Sequence, residues 1–323
     1  MKLEAKKYNA LIIGTGNIGA FYDNPDSDRI ISHGHGFSDS DKFELIGFVD
    51  IDEKNGKKGA EIWNTNYYKT IDEAFSVEKR IDVISIAVPD KHHYDLLKQA
   101  SQYSLKCLIV EKPITQTLNQ AYEIIEIYQK KQIPIIVNYT RRFIGQITKI
   151  KEDIESNKYG KYLNGIGYYG KGILHNGSHM IDLINYFFEE IKEYQIIDKY
   201  NDYYEEDPSV SGILTLKNSK KLIIQYVDCK ISTIFELDLF FEKCRVRISE
   251  LGYKIEYFQA KESPYFKGYT NYVESEEIST ELDRAMSNLV EHTYKVITEN
   301  QKLKSSANSA YEAMKICIAL KEG

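Results

Sequence analysis

Ala10-Leu-Ile-Ile-Gly14-Thr-Gly16-Asn17-Ile18-Gly19 is the stretch on which the fold class turns. A short apolar run, the length of a buried strand, passes straight into glycines spaced Gly-x-Gly-x-x-Gly. In such a turn the first glycine permits the tight reversal, and the second lets a phosphate approach the backbone. The third lets the following helix pack on the sheet with its N-terminal N–H groups facing the phosphates. A triplet of this kind is weak evidence alone. Directly behind a strand and at the head of a βα series, it predicts a dinucleotide-binding turn.

The next apolar run, Glu44-Leu-Ile-Gly-Phe-Val-Asp50, ends in a carboxylate suited to the adenosine ribose hydroxyls. A negative charge there would repel a 2′-phosphate, which favours NAD; Lys54, just downstream, leaves room for NADP. Asp50 lies 31 residues past Gly19, and the polar residues 22–40 account for the excess as an extended loop. His33-Gly-His35-Gly sits in that loop, and two readings stand open for it: contact with substrate or cofactor, or a flexible turn.

Further along, residues 82–88, 106–112 and 134–139 are near-continuous apolar runs, as expected of parallel strands covered on both faces. Between them, residues 91–103 and 115–131 carry apolar side chains at helical spacing, with Leu118, Ala121, Ile125 and Tyr128 on one stripe and Thr115 as the cap. Strands alternating with helices predict an α/β fold, a Rossmann doubly wound parallel sheet over residues 1–139. The pattern then changes. After a helix at 147–157, a strand at 162–169 and a helix from Ser178, strands at 212–217, 221–227, 235–241, 245–249 and 254–258 alternate apolar and polar residues. Period-2 alternation belongs to an antiparallel sheet with one solvated face. Residues 140–323 are therefore expected to form an α+β domain with a largely antiparallel open sheet. From 281 onward the chain reads as helix broken near 300–306, with the last helix, about 307–321, packing back towards the first domain.

Composition narrows the classes further. With 42% hydrophobic and 28% charged residues, the 323-residue chain has the material for a real core. A net charge of −6 argues against nucleic acid, which calls for a basic surface. Four scattered cysteines form no CxxC pair, so a disulfide framework or zinc knuckle is not expected. No apolar run reaches the roughly 18 residues of a membrane span. The opening MKLEAKKYNA lacks the apolar core of a signal peptide, so a cytoplasmic location is expected.

Three more motifs follow in order: Ala87-Val-Pro89-Asp-Lys-His-His93, Glu111-Lys112-Pro113, and Gly172-Ile-Leu-His175-Asn-Gly-Ser-His179-Met-Ile-Asp182. Together with the glycine turn they resemble the Gfo/Idh/MocA family, named for glucose–fructose oxidoreductase and inositol dehydrogenase. The resemblance runs over nearly the whole chain, including the Asn138-Tyr-Thr-Arg141-Arg142 crossover and residues 305–320. It implies that Lys112 contacts substrate and nicotinamide ribose and helps move a hydroxyl proton. That role suits a lysine whose charged form is disfavoured by desolvation beside a cationic ring. By the same resemblance His179 is the catalytic histidine, and imidazole exchanges protons near neutral pH. Pro89 and Glu111 fall beside the cofactor, and His93 either joins them there or is a structural histidine at a helix start. Asp182 either bonds substrate or faces solvent. Arg141 or Arg142 either pairs with an acidic substrate group or makes a domain-bridging salt link.

One position departs from the pattern: where dehydrogenases of the family usually carry Asp, four residues before the histidine, this chain has His175. Imidazole can orient a partner but supplies no fixed negative charge, and His175 with His179 lacks a third ligand for a metal. The resemblance implies an NAD-dependent enzyme moving hydride to or from a hydroxyl-bearing carbon of a sugar-like small molecule, and a homo-oligomer. A nucleotide-linked or surface-polysaccharide sugar is one substrate reading, and a free sugar or inositol the other. A non-catalytic NAD-binding sensor is the reading from a different class.

Overall fold

The computed structural model describes residues 7–323, so most of the leader reading lies outside the described residues. The chain divides into two compact units. One comprises residues to Phe143 together with Asp283–Tyr311, and the other Ile144–Leu282 with Glu312–Gly323. The second stretch is thus not continuous from 140 to the end, because residues 283–311 belong with the first unit.

In the first unit, strands β1 (Tyr8–Ile13), β2 (Phe43–Val49), β3 (Asn66–Tyr68), β4 (Val83–Ile86), β5 (Cys107–Glu111) and β6 (Ile135–Asn138) form one sheet in the order β3-β2-β1-β4-β5-β6. Every pairing is parallel. The order reverses between β1 and β4, which makes the carboxyl ends of these two strands the place where such sheets take a ligand. Helices α1 (His33–Ser38), α2 (Glu53–Ile62), α3 (Ile71–Val77), α4 (His93–Ala100) and α5 (Leu118–Lys131) connect the strands. Thr117, not Thr115, caps α5: its hydroxyl accepts from Gln120 N while the Gln120 side chain accepts from Thr117 N.

Helix α1 corrects the extended-loop reading of 22–40. Two glycines and two histidines give HGHGFS poor helix propensity, but Ser32 Oγ accepts from His35 N at 3.1 Å and five of its six residues are buried. Neither histidine lies in a flexible turn.

In the second unit, α6 (Gly145–Glu155) and α7 (Ser178–Phe188) accompany an eight-stranded sheet. Its strands are β7 (Tyr162–Tyr169), β8 (Ile191–Tyr204), β9 (Asp207–Leu216), β10 (Lys221–Tyr226), β11 (Phe235–Phe241), β12 (Cys244–Ser249), β13 (Lys254–Glu262) and β14 (Thr270–Ser279). They lie in the order β14-β13-β12-β11-β7-β10-β9-β8, antiparallel throughout except for β7 beside β10. Phe235, Leu237, Leu239 and Phe241 of β11 are buried in strict alternation, as period 2 requires.

The chain re-enters the first unit as α8 (Ala285–Glu299), whose Met286, Leu289 and Val290 pack against Ile12, Phe48, Ile109 and Ile136 of the parallel sheet. Residues 303–306 then run along β6, with Val137 N donating to the Ser305 carbonyl at 3.1 Å. The last helix, α9 (Ala307–Glu322), starts in the first unit and passes into the second from Glu312. Among the described residues, no helix is long and apolar enough to cross a membrane.

Candidate active site

The glycine turn has the geometry its spacing implies. Gly14 has φ +100°, and a Cβ there would stand 2.6 Å from the Ala87 carbonyl oxygen. A Cβ on Gly19 would lie 2.1 Å from the Gly14 oxygen, so the helical turn Asn17–Phe21 packs directly on the loop. Gly16 differs: no atom lies within 4 Å of the position a Cβ would take. Its absent side chain leaves open space beside the backbone, which a phosphate needs and the protein's own packing does not.

Asp50 follows the end of β2. Its Oδ2 accepts from Thr15 N at 2.8 Å and Thr15 Oγ1 at 2.5 Å, and its Oδ1 from Asp52 N at 2.9 Å. The carboxylate is therefore tied to the glycine loop itself. A cavity of about 320 Å³ opens beside it, lined by Gly14, Val49, Ile51, Ile71, Val88 and Leu96. The cation on its rim is Lys69; Lys54 is not among the lining residues.

His93 and Glu111 are brought together with Lys112 by the ends of β4 and β5. The His93 ring lies 2.9 Å by Nε2 from the Val88 carbonyl and 2.7 Å by Nδ1 from the Pro113 carbonyl. It is fully buried, so it acts as a clasp between the two turns. The Lys112–Pro113 peptide is cis. Glu111 Oε1 accepts from Asn138 Nδ2 at 2.6 Å and lies 3.0 Å from His33 Nε2, while His33 Nδ1 lies 2.8 Å from Ser85 Oγ. Burial pushes the Glu111 carboxyl up, but the His33 bond and charge, the Asn138 bond and the Lys112 ammonium together hold it below its ordinary value. An ionised carboxylate therefore stands immediately before Lys112. His35 lies 3.1 Å by Nδ1 from Asp23 Oδ2, and Asp23 also accepts from Ile31 N and Ser32 N. Arg142 donates by Nη1 to the Lys304 carbonyl at 2.9 Å, anchoring the 303–306 segment inside the first unit.

In the second unit, His175 lies in the helical turn Gly172–Gly177, and His179 is the second residue of α7. Asp182, one turn further on, is 2% exposed, which removes the solvent-facing reading. Sequence reasoning missed Asp207, at the start of β9: its Oδ2 lies 2.7 Å from His175 Nδ1. No spacing pattern links residues 32 apart on different elements, so no sequence signal pointed to the pair. Among the described residues, no group of three His, Cys, Asp or Glu is placed to hold a metal ion.

Residues 8–139 match the Gfo/Idh/MocA model, described as an oxidoreductase family with an NAD-binding Rossmann fold. Over these residues the chain matches that family's NAD-binding Rossmann unit. An uncharacterized oxidoreductase of Schizosaccharomyces pombe is 30% identical over 105 residues, which are 32% of this chain and 28% of the relative. The chain thus spans under a third of that relative's length. Solved structures of the same fold cover nearly the whole chain. UDP-N-acetylglucosamine 3-dehydrogenase from Acidithiobacillus ferrooxidans has a TM-score of 0.78 at 13% identity, covering 98% of this chain and 97% of its own. An oxidoreductase from Agrobacterium radiobacter, solved with NAD+, L-tartaric acid and magnesium, has a TM-score of 0.76 at 15% identity and covers 98% and 96%. At these identities the likeness is one of fold. The first unit fits a dinucleotide on its own terms: open space at Gly16, a closed contact at Gly14, and an apolar cavity beside Asp50.

Proposed function

We propose that this protein is an NAD(H)-dependent oxidoreductase acting on a secondary hydroxyl or keto carbon of a sugar-like substrate. The observation that carries the reading is the glycine loop, whose middle glycine faces open space while its neighbours are packed to contact. Gly14, Gly16, Asn17, Ile18 and Gly19 would hold the pyrophosphate, Asp50 the ribose, and the apolar cavity the adenine. Bound NAD supplies the hydride acceptor or donor at C4 of its nicotinamide. Lys112, with Glu111 ionised beside it, and His179 are assigned the substrate hydroxyl. Pro89 and His93 shape the turn on the nicotinamide side.

For the substrate we favour a nucleotide-linked sugar over a free sugar or cyclitol. In support, one structural neighbour is a UDP-N-acetylglucosamine 3-dehydrogenase, and the long segment before α1 adds polar surface to the first unit. Fold likeness alone does not choose a substrate. Steady-state NADH formation on a panel of UDP- and TDP-sugars, free hexoses and inositols decides it. Turnover confined to free sugars overturns the nucleotide assignment. Tight NAD binding with no turnover on any member overturns the enzyme reading and leaves a sensor.

A further inference from the structure

We propose that Asp207 and His175 work as one proton-carrying pair in the reaction, an inference that rests on the oxidoreductase reading above. Asp207 Oδ1 accepts from Leu174 N at 3.0 Å, and Oδ2 from His175 N at 3.0 Å and His175 Nδ1 at 2.7 Å. A carboxylate accepts and does not donate, so Nδ1 carries the hydrogen and Nε2 is the basic end of the ring. Tyr204 stacks on the imidazole at 3.8 Å between centroids with planes 18° apart, fixing its orientation. The Asp207 side chain is 4% exposed and that of His175 48%, so the proton enters and leaves through the imidazole while the charge stays inside.

The surroundings are built for this approach. Gly172 has φ +80°, and a Cβ on it would stand 2.1 Å from Asp207 Oδ2. Gly172 N donates to Ser209 Oγ at 2.8 Å, Ser209 Oγ donates to Asp202 Oδ1 at 2.9 Å, and Asp202 Oδ2 accepts from Lys171 N at 2.6 Å. Two buried carboxylates flanking the β8–β9 turn thus hold the backbone of residues 171–175. Backbone donors already serve Asp207; its third bond goes to the ring. That arrangement, a buried carboxylate fixing one nitrogen of a half-exposed imidazole, is how an enzyme prepares a general base.

In the oxidation direction the carbinol carbon gives up a hydride to the nicotinamide, and its oxygen gives up a proton as the C=O bond forms. His175 takes that proton on Nε2, Asp207 balances the resulting imidazolium without becoming protonated, and water removes the proton. Reduction runs the same path backward. Asp207 is a positioning residue that acts through His175, and His175 supplies a proton carrier where a bare carboxylate would supply only charge.

The test combines ring-nitrogen NMR of the wild-type chain with kinetics of His175→Ala, Asp207→Asn and the double variant. His175 should show the Nδ1–H tautomer. His175→Ala should lose kcat by roughly 10- to 100-fold, with NAD affinity unchanged and turnover restored by added imidazole. Asp207→Asn keeps an acceptor but removes the charge and should fall similarly, with the double variant no lower than His175→Ala. An Nε2–H tautomer, full kcat in His175→Ala, or no rescue by imidazole overturns the pair. If wild type binds NAD but turns over no substrate, the functional reading fails and takes this one with it; the ring spectrum, which needs no turnover, tells that failure from a wrong pairing.

Discussion

His33 Nε2 lies 3.0 Å from Glu111 Oε1 although 78 residues separate them in the chain. The imidazole is fully buried and the carboxylate nearly so, at 15% exposure. Ser85 Oγ lies 2.8 Å from His33 Nδ1 and Asn138 Nδ2 donates to Glu111 Oε1 at 2.6 Å, so the buried imidazole and the carboxylate are each held from a second side. The insertion before α1 therefore delivers a support for the residue preceding Lys112.

Breaking one side of that pair leaves a charge without its partner. His33→Ala should lower the unfolding free energy by about 2 to 4 kcal/mol. Adding Glu111→Gln should recover part of the loss, because the orphaned charge goes with it. Urea unfolding of the single and double variants measures both. A loss below about 1 kcal/mol in the single variant would show that the pair contributes no more than a surface contact.

Gly16 separates cofactor binding from folding. Its φ of −72° suits any residue and its missing side chain would meet nothing. Gly16→Val should therefore unfold within a few degrees of wild type while NAD affinity falls by about tenfold or more. Gly14→Val, strained at φ +100° against the Ala87 carbonyl, should lose stability as well. Unchanged NAD affinity in Gly16→Val would refute the pyrophosphate assignment.

Removing the ammonium tests the chemistry. Lys112→Ala should reduce kcat by about 10²- to 10⁴-fold and leave NAD affinity within a few fold, read by fluorescence titration against NADH formation. Turnover at the wild-type rate would take Lys112 out of the mechanism.

His292 of α8 makes stability sensitive to mild acid. Burial is the main cause that pulls its imidazole from the ordinary 6.5 down to about 4; the Lys304 and Lys295 charges add to it and the Gln301 bond opposes it. In the fold it is neutral, with Nε2 accepting from Lys304 N at 3.2 Å. Between these two values the unfolded chain binds a proton that the folded chain refuses, so stability rises with pH across the window and is lost as pH falls through it. From pH 7 to pH 5 the loss should be on the order of 2 kcal/mol. His292→Gln should flatten that slope, and a variant as acid-sensitive as wild type would remove His292 as the cause.

How far the sequence carried the fold can be read from particular elements. β1, β2, β4, β5 and β6 were legible because strands covered on both faces are continuous apolar runs, and β11 because one covered face forces alternation. β3, β8 and β14 were not. Each lies at an edge of its sheet; β8 and β14 carry many exposed residues and β3 is only three residues long, so burial imprints no clear period on them. Helix α1 was missed because its stability comes from packing and the Ser32 cap rather than from propensity.

The site divides the same way. Gly14, Gly16, Gly19, Asp50 and Lys112 could be nominated as candidates because a local backbone turn or a strand end imposes their spacing, and neighbours along the chain carry that information. The pairing of His33 with Glu111, of His175 with Asp207 and of α8 with the parallel sheet required the folded chain. Hydrogen bonds and apolar contacts between distant segments depend on where the backbone brings them. Composition and periodicity report which faces are buried, and only the tertiary structure decides which side chains meet there.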